Sequence, residues 1–284
     1  MASRSLAIQE HASAAERLWG IVPAGVGSRW RWSLLFPRRR AGAPAPLSTV
    51  LDRASALIDG SRLIVVVTRG HEHDANGPEG TQRLVQPAYR GSAAEVFLAL
   101  AKIVSRDPSA IVAVLPADGI GQDEAEFFAT VARAAAAVDA LPDLPIVLGL
   151  SPPCARPPGW VLPGEMIAGL ERFGVRAVRR FIRRPGFAEA VAFQAGGGLV
   201  SSGVVVARAE TLLALGRRRL PDVLEALEPL ETAFDRPEEP LLREAIYEAM
   251  PHADLSHALF AADEPLGVLA VPRTRTRVRP VASA

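Results

Sequence analysis

Ile111-Val112-Ala113-Val114-Leu115-Pro116-Ala117-Asp118 is the stretch whose reading decides the fold. Its apolar residues follow one another without polar alternation, and the run stops at a proline and a single acid. A continuous, valine-rich run of this kind predicts a strand covered on both faces. In open α/β sheets, ligands bind beyond the carboxyl ends of such strands, and that is where Asp118 stands. A carboxylate there suits a divalent metal on a phosphate. It equally suits the cap of the next helix. The residues alone leave both readings open.

Further strands of the same type lie on either side. Leu18-Trp19-Gly20-Ile21-Val22-Pro23 runs into Ala24-Gly25-Val26-Gly27-Ser28-Arg29, and Leu63 to Thr68 and Pro145 to Leu150 are buried strands too. The two glycines allow a tight turn that brings N–H groups to an anion, though Gly-x-Gly alone is usually only a turn. Between the strands, helical spacing appears at Leu47 to Leu57, from Gly91-Ser92 through Ile103, and from Gln122 to Ala140. Strand and helix in alternation predict βαβ units and a mostly parallel sheet. The second half is less regular. It carries a proline-rich stretch from Ser151 to Gly164, strands at Val175 to Ile182, Leu199 to Ala207 and Gly267 to Val271, and helices at Pro185 to Ala195, Thr211 to Leu227 and Leu241 to Ala249. Residues 1–17 read as a lead-in, 18–272 as one domain and 273–284 as a tail.

Composition removes several classes of function. With 284 residues, 49% hydrophobic and 22% charged, the chain has material for one large core. A formal charge of +1 gives no overall attraction to nucleic acid or to an anionic membrane. The single cysteine, Cys154, makes no internal disulfide, and no long apolar run or signal peptide is visible, so a cytoplasmic protein without a membrane partner is expected. Arg69-Gly70-His71-Glu72-His73-Asp74 invites a metal reading, but its two histidines lie in a loop and a solvated loop is the better reading. Lys102 is the only lysine; every other member of the 32 basic residues is arginine.

Taken together and in order, these motifs resemble the bacterial mannose-1-phosphate guanylyltransferases, a family of sugar nucleotidyltransferases. Ala24 to Arg29 is similar to the family's signature loop Ala-Gly-Gly-x-Gly-Thr-Arg, and Phe36-Pro37-Arg38 falls where the family has Phe-Pro-Lys. Gln86-Pro87-Ala88-Tyr89-Arg90-Gly91-Ser92-Ala93 resembles Gln-Pro-x-x-Arg-Gly-Thr-Ala. Leu115-Pro116-Ala117-Asp118 resembles Leu-Pro-Ser-Asp, and Gly159-Trp160-Val161 resembles Gly-Trp-Ile. The resemblance covers about residues 17 to 270. It implies a Rossmann-like nucleotidyltransferase fold with a mostly parallel central sheet flanked by helices. It also implies GTP and a sugar 1-phosphate as partners, Mg²⁺ as cofactor, and formation of GDP-mannose and pyrophosphate.

By the same resemblance, Arg29, Arg38 and Asp118 would be the catalytic residues, with Asp118 holding the metal. Ala24, Gly25, Gly27, Ser28, Gln86, Gly91 and Ser92 would bind the nucleotide, and Gly159, Arg183, Arg184 and Ser201 the sugar phosphate. Such a reaction asks the protein to position phosphates and neutralise their charge rather than to form covalent bonds. The departures are chemical. Arg38 stands where the family has a lysine, Arg183-Arg184-Pro185 stands for Glu-Lys-Pro, and the family's late aspartate has no counterpart. Arginine keeps the charge of lysine but is larger and forked. The alternative is therefore a catalytically impaired homologue, a pseudoenzyme that binds a nucleotide or nucleotide sugar in a regulatory role.

Overall fold

The computed structural model describes residues 16–25, 47–117, 124–151, 159–183, 185–260 and 264–272. Among the described residues, nine strands form one sheet: β1 (Leu18–Pro23), β2 (Leu63–Thr68), β3 (Gln82–Gln86), β4 (Ile111–Val114), β5 (Ile146–Leu150), β6 (Gly159–Met166), β7 (Arg176–Arg183), β8 (Leu199–Arg208) and β9 (Gly267–Val271). They lie in the order β3-β2-β1-β4-β8-β5-β9-β7-β6. The helices are α1 (Leu47–Ala54), α2 (Ser92–Arg106), α3 (Glu124–Ala140), α4 (Phe187–Ala195), α5 (Ala209–Arg219), α6 (Pro221–Leu227), α7 (Glu239–Ala249) and α8 (Leu255–Leu259).

The continuous apolar runs become strands with both faces covered. On β2, Leu63, Val65 and Val67 pack into one core with α1 and α3, while Ile64 and Val66 pack into a second core with α2, α5 and α6. On β4, Ile111 and Ala113 take the first side and Val112 and Val114 the second. Side chains of successive strand residues point to opposite faces, so a run with no polar position is stable only between two apolar layers. Helix α2 answers this from its side, with an unbroken buried stretch from Ala93 to Ile103.

The expectation of a mostly parallel sheet needs correction. Strands β3, β2, β1 and β4 are parallel to one another, as are β5 and β9. The contacts β4–β8, β5–β8, β6–β7, β6–β8 and β7–β9 are antiparallel. Because β8 also pairs with β6, the strands β8, β5, β9, β7 and β6 close into a ring, and that half of the sheet is barrel-like. The proline-rich stretch also holds more structure than its composition suggests. Residues 159–166 form β6, whose Trp160 is wholly buried against Phe193 at a ring separation of 6.5 Å. The helix expected over residues 211–227 is two helices, divided at Leu220 because Pro221 starts a new first turn. Helix α8 carries no periodic signal long enough to be read.

Two local features shape the site. First, β8 carries a bulge: Val147 of β5 pairs with Val205, yet Gly149 pairs with Ser201, so extra β8 residues are pushed out of register between them. Ser201 Oγ accepts from Gly203 N–H and Ser202 Oγ from Val204 N–H, which hold the bulge in shape. Bulges re-aim side chains, often beside active sites. Second, the turn before α2 is welded to the chain ahead of α8. Gly91 has φ 89°, and a Cβ there would stand 2.1 Å from the Ala253 carbonyl oxygen, so this position requires glycine.

Candidate active site

A cavity of about 490 Å³ opens at the carboxyl ends of β1 and β4, where such sheets bind ligands. Pro23 of β1 and Leu115, Pro116 and Ala117 after β4 form its floor. Ser92, at the start of α2, stands at one end together with Tyr89, His252 and Asp254. Gly159 of β6, Arg183 of β7 and Ser201, Gly203, Val204 and Val205 of the β8 bulge stand at the other. The walls are largely apolar, with Val96, Leu259 and the stacked pair Phe181–Phe260, whose rings lie 3.5 Å apart and nearly parallel. An apolar cleft with a few convergent polar groups is the usual form of a small-molecule site.

The expected site residues divide into three groups. Ser92, Gly159, Arg183 and Ser201 are brought together by the cavity. Ala24, Gly25 and Gln86 are brought together behind it instead. Ala24 N–H donates to Val66 O at 2.7 Å, which carries the chain straight on from β1 along β2. Gly25 N–H then donates to Glu95 Oε1 at 2.7 Å, and Gln86 Nε2 donates to the same oxygen at 2.8 Å and to Thr68 Oγ1 at 3.2 Å. Gln86 and Glu95 are completely buried. Gly91 lies against the Ala253 backbone, next to the cavity-lining residues Ser92, His252 and Asp254. The third group, Gly27, Ser28, Arg29, Arg38, Asp118 and Arg184, lies outside the described residues.

Glu95 was not among the residues the sequence suggested. It sits in the first turn of α2, on a helix whose other faces are apolar, and a buried acid has no spacing pattern to reveal it. The structure gives it a role: one oxygen fixes the entry of the glycine loop and the side chain of Gln86. A Cβ on Gly25 would stand 2.0 Å from Glu95 Oε1 and 2.5 Å from Gln86 Nε2, so the first loop glycine is required by this contact. Tyr89, His252 and Asp254 were missed as well. Tyr89 stands edge-on to His252 at 5.5 Å. Burial, and then the negative charges of Glu95 and Asp254, push the Tyr89 hydroxyl up to about 12. Burial likewise raises Tyr247, again with Glu95 adding to it. Both phenols stay protonated donors at neutral pH.

Lys102 is far from the cavity in function. It lies in the second half of α2, and its ammonium donates to Asp235 Oδ1 at 2.8 Å beside Arg106, which donates to Asp235 Oδ2 at 2.7 Å. Phe234 lies under it, 5.5 Å from the ring centre. Among the described residues, no cluster of three or more histidine, cysteine, aspartate or glutamate side chains is placed to hold a metal. No helix among them is long and apolar enough to cross a membrane.

The arrangement is a mixed α/β sheet with a cleft at its strand ends, and its fold recurs in solved structures. The structure is similar to that of a mannose-1-phosphate geranyltransferase from Thermus thermophilus, with a TM-score of 0.71, 24% sequence identity, and coverage of 90% of this chain and 74% of that one. It is also similar to mannose-6-phosphate isomerase from Helicobacter pylori, with a TM-score of 0.67, 18% identity, and coverage of 90% and 97%. At these identities the likeness is one of fold. No family model and no curated protein matches the sequence.

Proposed function

We propose that the chain is a sugar-1-phosphate nucleotidyltransferase-like protein of the cytoplasm that takes GTP and mannose 1-phosphate to GDP-mannose and pyrophosphate. One observation carries this reading. A single cavity gathers Ser92, from the motif resembling the nucleotide-binding one, Gly159, from the motif resembling Gly-Trp-Ile, and Arg183 and Ser201, which stand at the family's sugar-phosphate positions though the residues there differ from the family's. Its floor includes Ala117, the residue before Asp118, and Pro23, two residues before Gly25. The two substrates would meet end to end over the floor. In the reaction, an oxygen of the sugar phosphate attacks the α-phosphorus of the triphosphate, a new P–O bond forms, and the bond to the β-phosphate breaks with pyrophosphate leaving. Arg183 is exposed at the sugar end and offers a guanidinium fork to a phosphate.

The resemblance calls for Mg²⁺. The residue it assigns, Asp118, lies outside the described residues, so what the described residues supply is binding and orientation. Residues 18–272 are taken as the working domain. The catalytically impaired reading has its own observation: the only lysine is engaged with Asp235 and Phe234, so no lysine is left to neutralise the phosphates and that task would pass to arginine side chains. Pyrophosphate release from GTP and mannose 1-phosphate with Mg²⁺ separates the two. Turnover that falls at least tenfold in Arg183→Ala and disappears in Asp118→Ala supports the enzyme. Binding of GTP with no release above the Asp118→Ala background supports the impaired homologue, and absence of both binding and release overturns both.

A further inference from the structure

Asp254 precedes helix α8, at the position of its N-cap, yet its side chain makes no capping bond to that helix. It turns to the cavity instead. Ser92 explains the orientation. Its hydroxyl accepts from Leu255 N–H at 3.0 Å and donates to Asp254 Oδ1 at 3.4 Å, which ties one carboxylate oxygen and the following backbone to the start of α2. The backbone around this contact is fastened on both sides. Ala93 N–H donates to Ala253 O and Ala253 N–H to Arg90 O, both at 3.0 Å, while Arg90 Nε donates to Tyr247 O at 2.9 Å. Asp254 is therefore a half-buried carboxylate on a well-fastened wall, and it lines the cavity together with Tyr89 and His252, whose rings pack edge-on against each other.

The geometry points to Asp254 as the residue that reads the nucleobase, and to guanine as the base it selects. This rests on the nucleotide reading above and deepens it. A carboxylate only accepts hydrogen bonds and takes two parallel donors best. Among the common bases, only guanine presents two adjacent donors on one edge, N1–H and the N2 amino group. Adenine and cytosine set an acceptor nitrogen beside their amino group, and uracil has one N–H between two carbonyls. Each of these turns a lone pair toward the acid, which a half-buried site does not tolerate well. The aromatic rings beside Asp254 offer apolar surface to a flat base.

The test measures binding of GDP, UDP, ADP and xanthosine diphosphate to the full-length protein and to Asp254→Asn by calorimetry, with thermal unfolding of both as a fold control. Xanthine carries a carbonyl where guanine has its amino group, so an asparagine amide can donate to it. Wild type is expected to prefer GDP over UDP and ADP by about 10- to 100-fold, and Asp254→Asn to lose that margin and gain xanthosine diphosphate. A gain cannot come from misfolding. If wild type binds GDP and Asp254→Asn binds it equally well, or loses it without gaining xanthosine diphosphate, the assignment of Asp254 is overturned while the nucleotide reading stands. If wild type binds UDP or ADP as tightly as GDP, the selection of guanine is overturned. If wild type binds no nucleotide, the proposed function is overturned and this assignment with it.

Discussion

Replacing Glu95 with alanine removes a single acceptor on which two donors converge. Gly25 N–H and Gln86 Nε2 both reach Glu95 Oε1, and the Gln86 and Glu95 side chains are completely buried. Each donor left without a partner away from water costs about 1–3 kcal/mol. Gln86 retains its longer bond to Thr68 Oγ1, which offsets part of its share. The acid also lies in the first turn of α2, where a negative charge favours the helix by ~0.3–1 kcal/mol. Against this, an apolar side chain no longer requires a carboxyl group to be taken out of water. The balance is a loss of about 3 kcal/mol for Glu95→Ala. Glu95→Gln keeps an oxygen within reach of both donors and should cost about 1 kcal/mol.

Urea unfolding, followed by far-UV circular dichroism at pH 7, measures both variants. The midpoint should fall in the order wild type, Glu95→Gln, Glu95→Ala, with an unchanged slope, since the surface exposed on unfolding is the same. A Glu95→Ala protein within about 1 kcal/mol of wild type would refute the argument that this oxygen holds the loop entry.

Four further outcomes follow from other contacts. Gly91→Ala should cost more than about 3 kcal/mol, since it combines a left-handed backbone with a collision against the Ala253 carbonyl, and it should weaken ligand binding at the Tyr89–Asp254 end, read by thermal melt and by calorimetry with GDP. Gly216→Ala gains about 1 kcal/mol of helix propensity, but its methyl meets Phe97 and Leu224 at 2.6 and 2.7 Å, so overpacking should leave it ~1 kcal/mol less stable on urea unfolding. Asp235 is held below its ordinary pKa of 3.8 first by its hydrogen bond from Lys102, and Glu264 below 4.5 first by that from Arg218. Both contributions are complete above the unfolded values and are lost as pH falls through the folded ones, so stability should drop on acidification below ~4.5, less steeply in Asp235→Asn. Lys102→Met should lower the melting temperature and leave nucleotide binding unchanged, because the lysine's partners are Asp235 and Phe234 rather than a ligand.

The parallel half of the fold was legible because its signal is local. β1, β2, β4 and β5 are apolar runs without alternation, and α2 and α3 have long periodic faces, so each element could be read from its own residues. The antiparallel half was not, because its logic is a matter of pairing. Strand β6 contains Pro163 and two glycines and has exposed residues at its far end, so its composition speaks against a strand. It holds because Trp160 and Val161 are inserted between β7 and the start of β8. The β8 bulge is invisible for the same reason: Ser201 to Val204 look like ordinary strand residues, and only the register against β5 turns Ser201 and Gly203 toward the cavity.

The site shows the same division, with a chemical consequence. Motifs that resemblance could match, at Ser92 and Gly159, converge on the cavity with the divergent Arg183, while Gly25 and Gln86 are engaged by Glu95, a residue no motif contains. Asp254 comes from a stretch with no motif at all, yet it meets Ser92 because Gly91 lets the Ala253 backbone approach. Cations show the complementary case. For the lone lysine, position on the helix decides its use. Ser92 opens α2 at the cavity, and Lys102 lies in the second half of that helix, in reach of Asp235. A rise of about 1.5 Å per residue separates the two by roughly 15 Å, more than a lysine side chain spans. In the proposed reaction, charge at the phosphates would fall to arginines, whose planar forks favour two-point contacts and fixed orientation over the single mobile charge of a lysine. On that proposal, a site built on such forks would depend more on how its walls are held, and the Glu95 anchor and the Arg90–Ala253 weld hold them from outside the cavity lining.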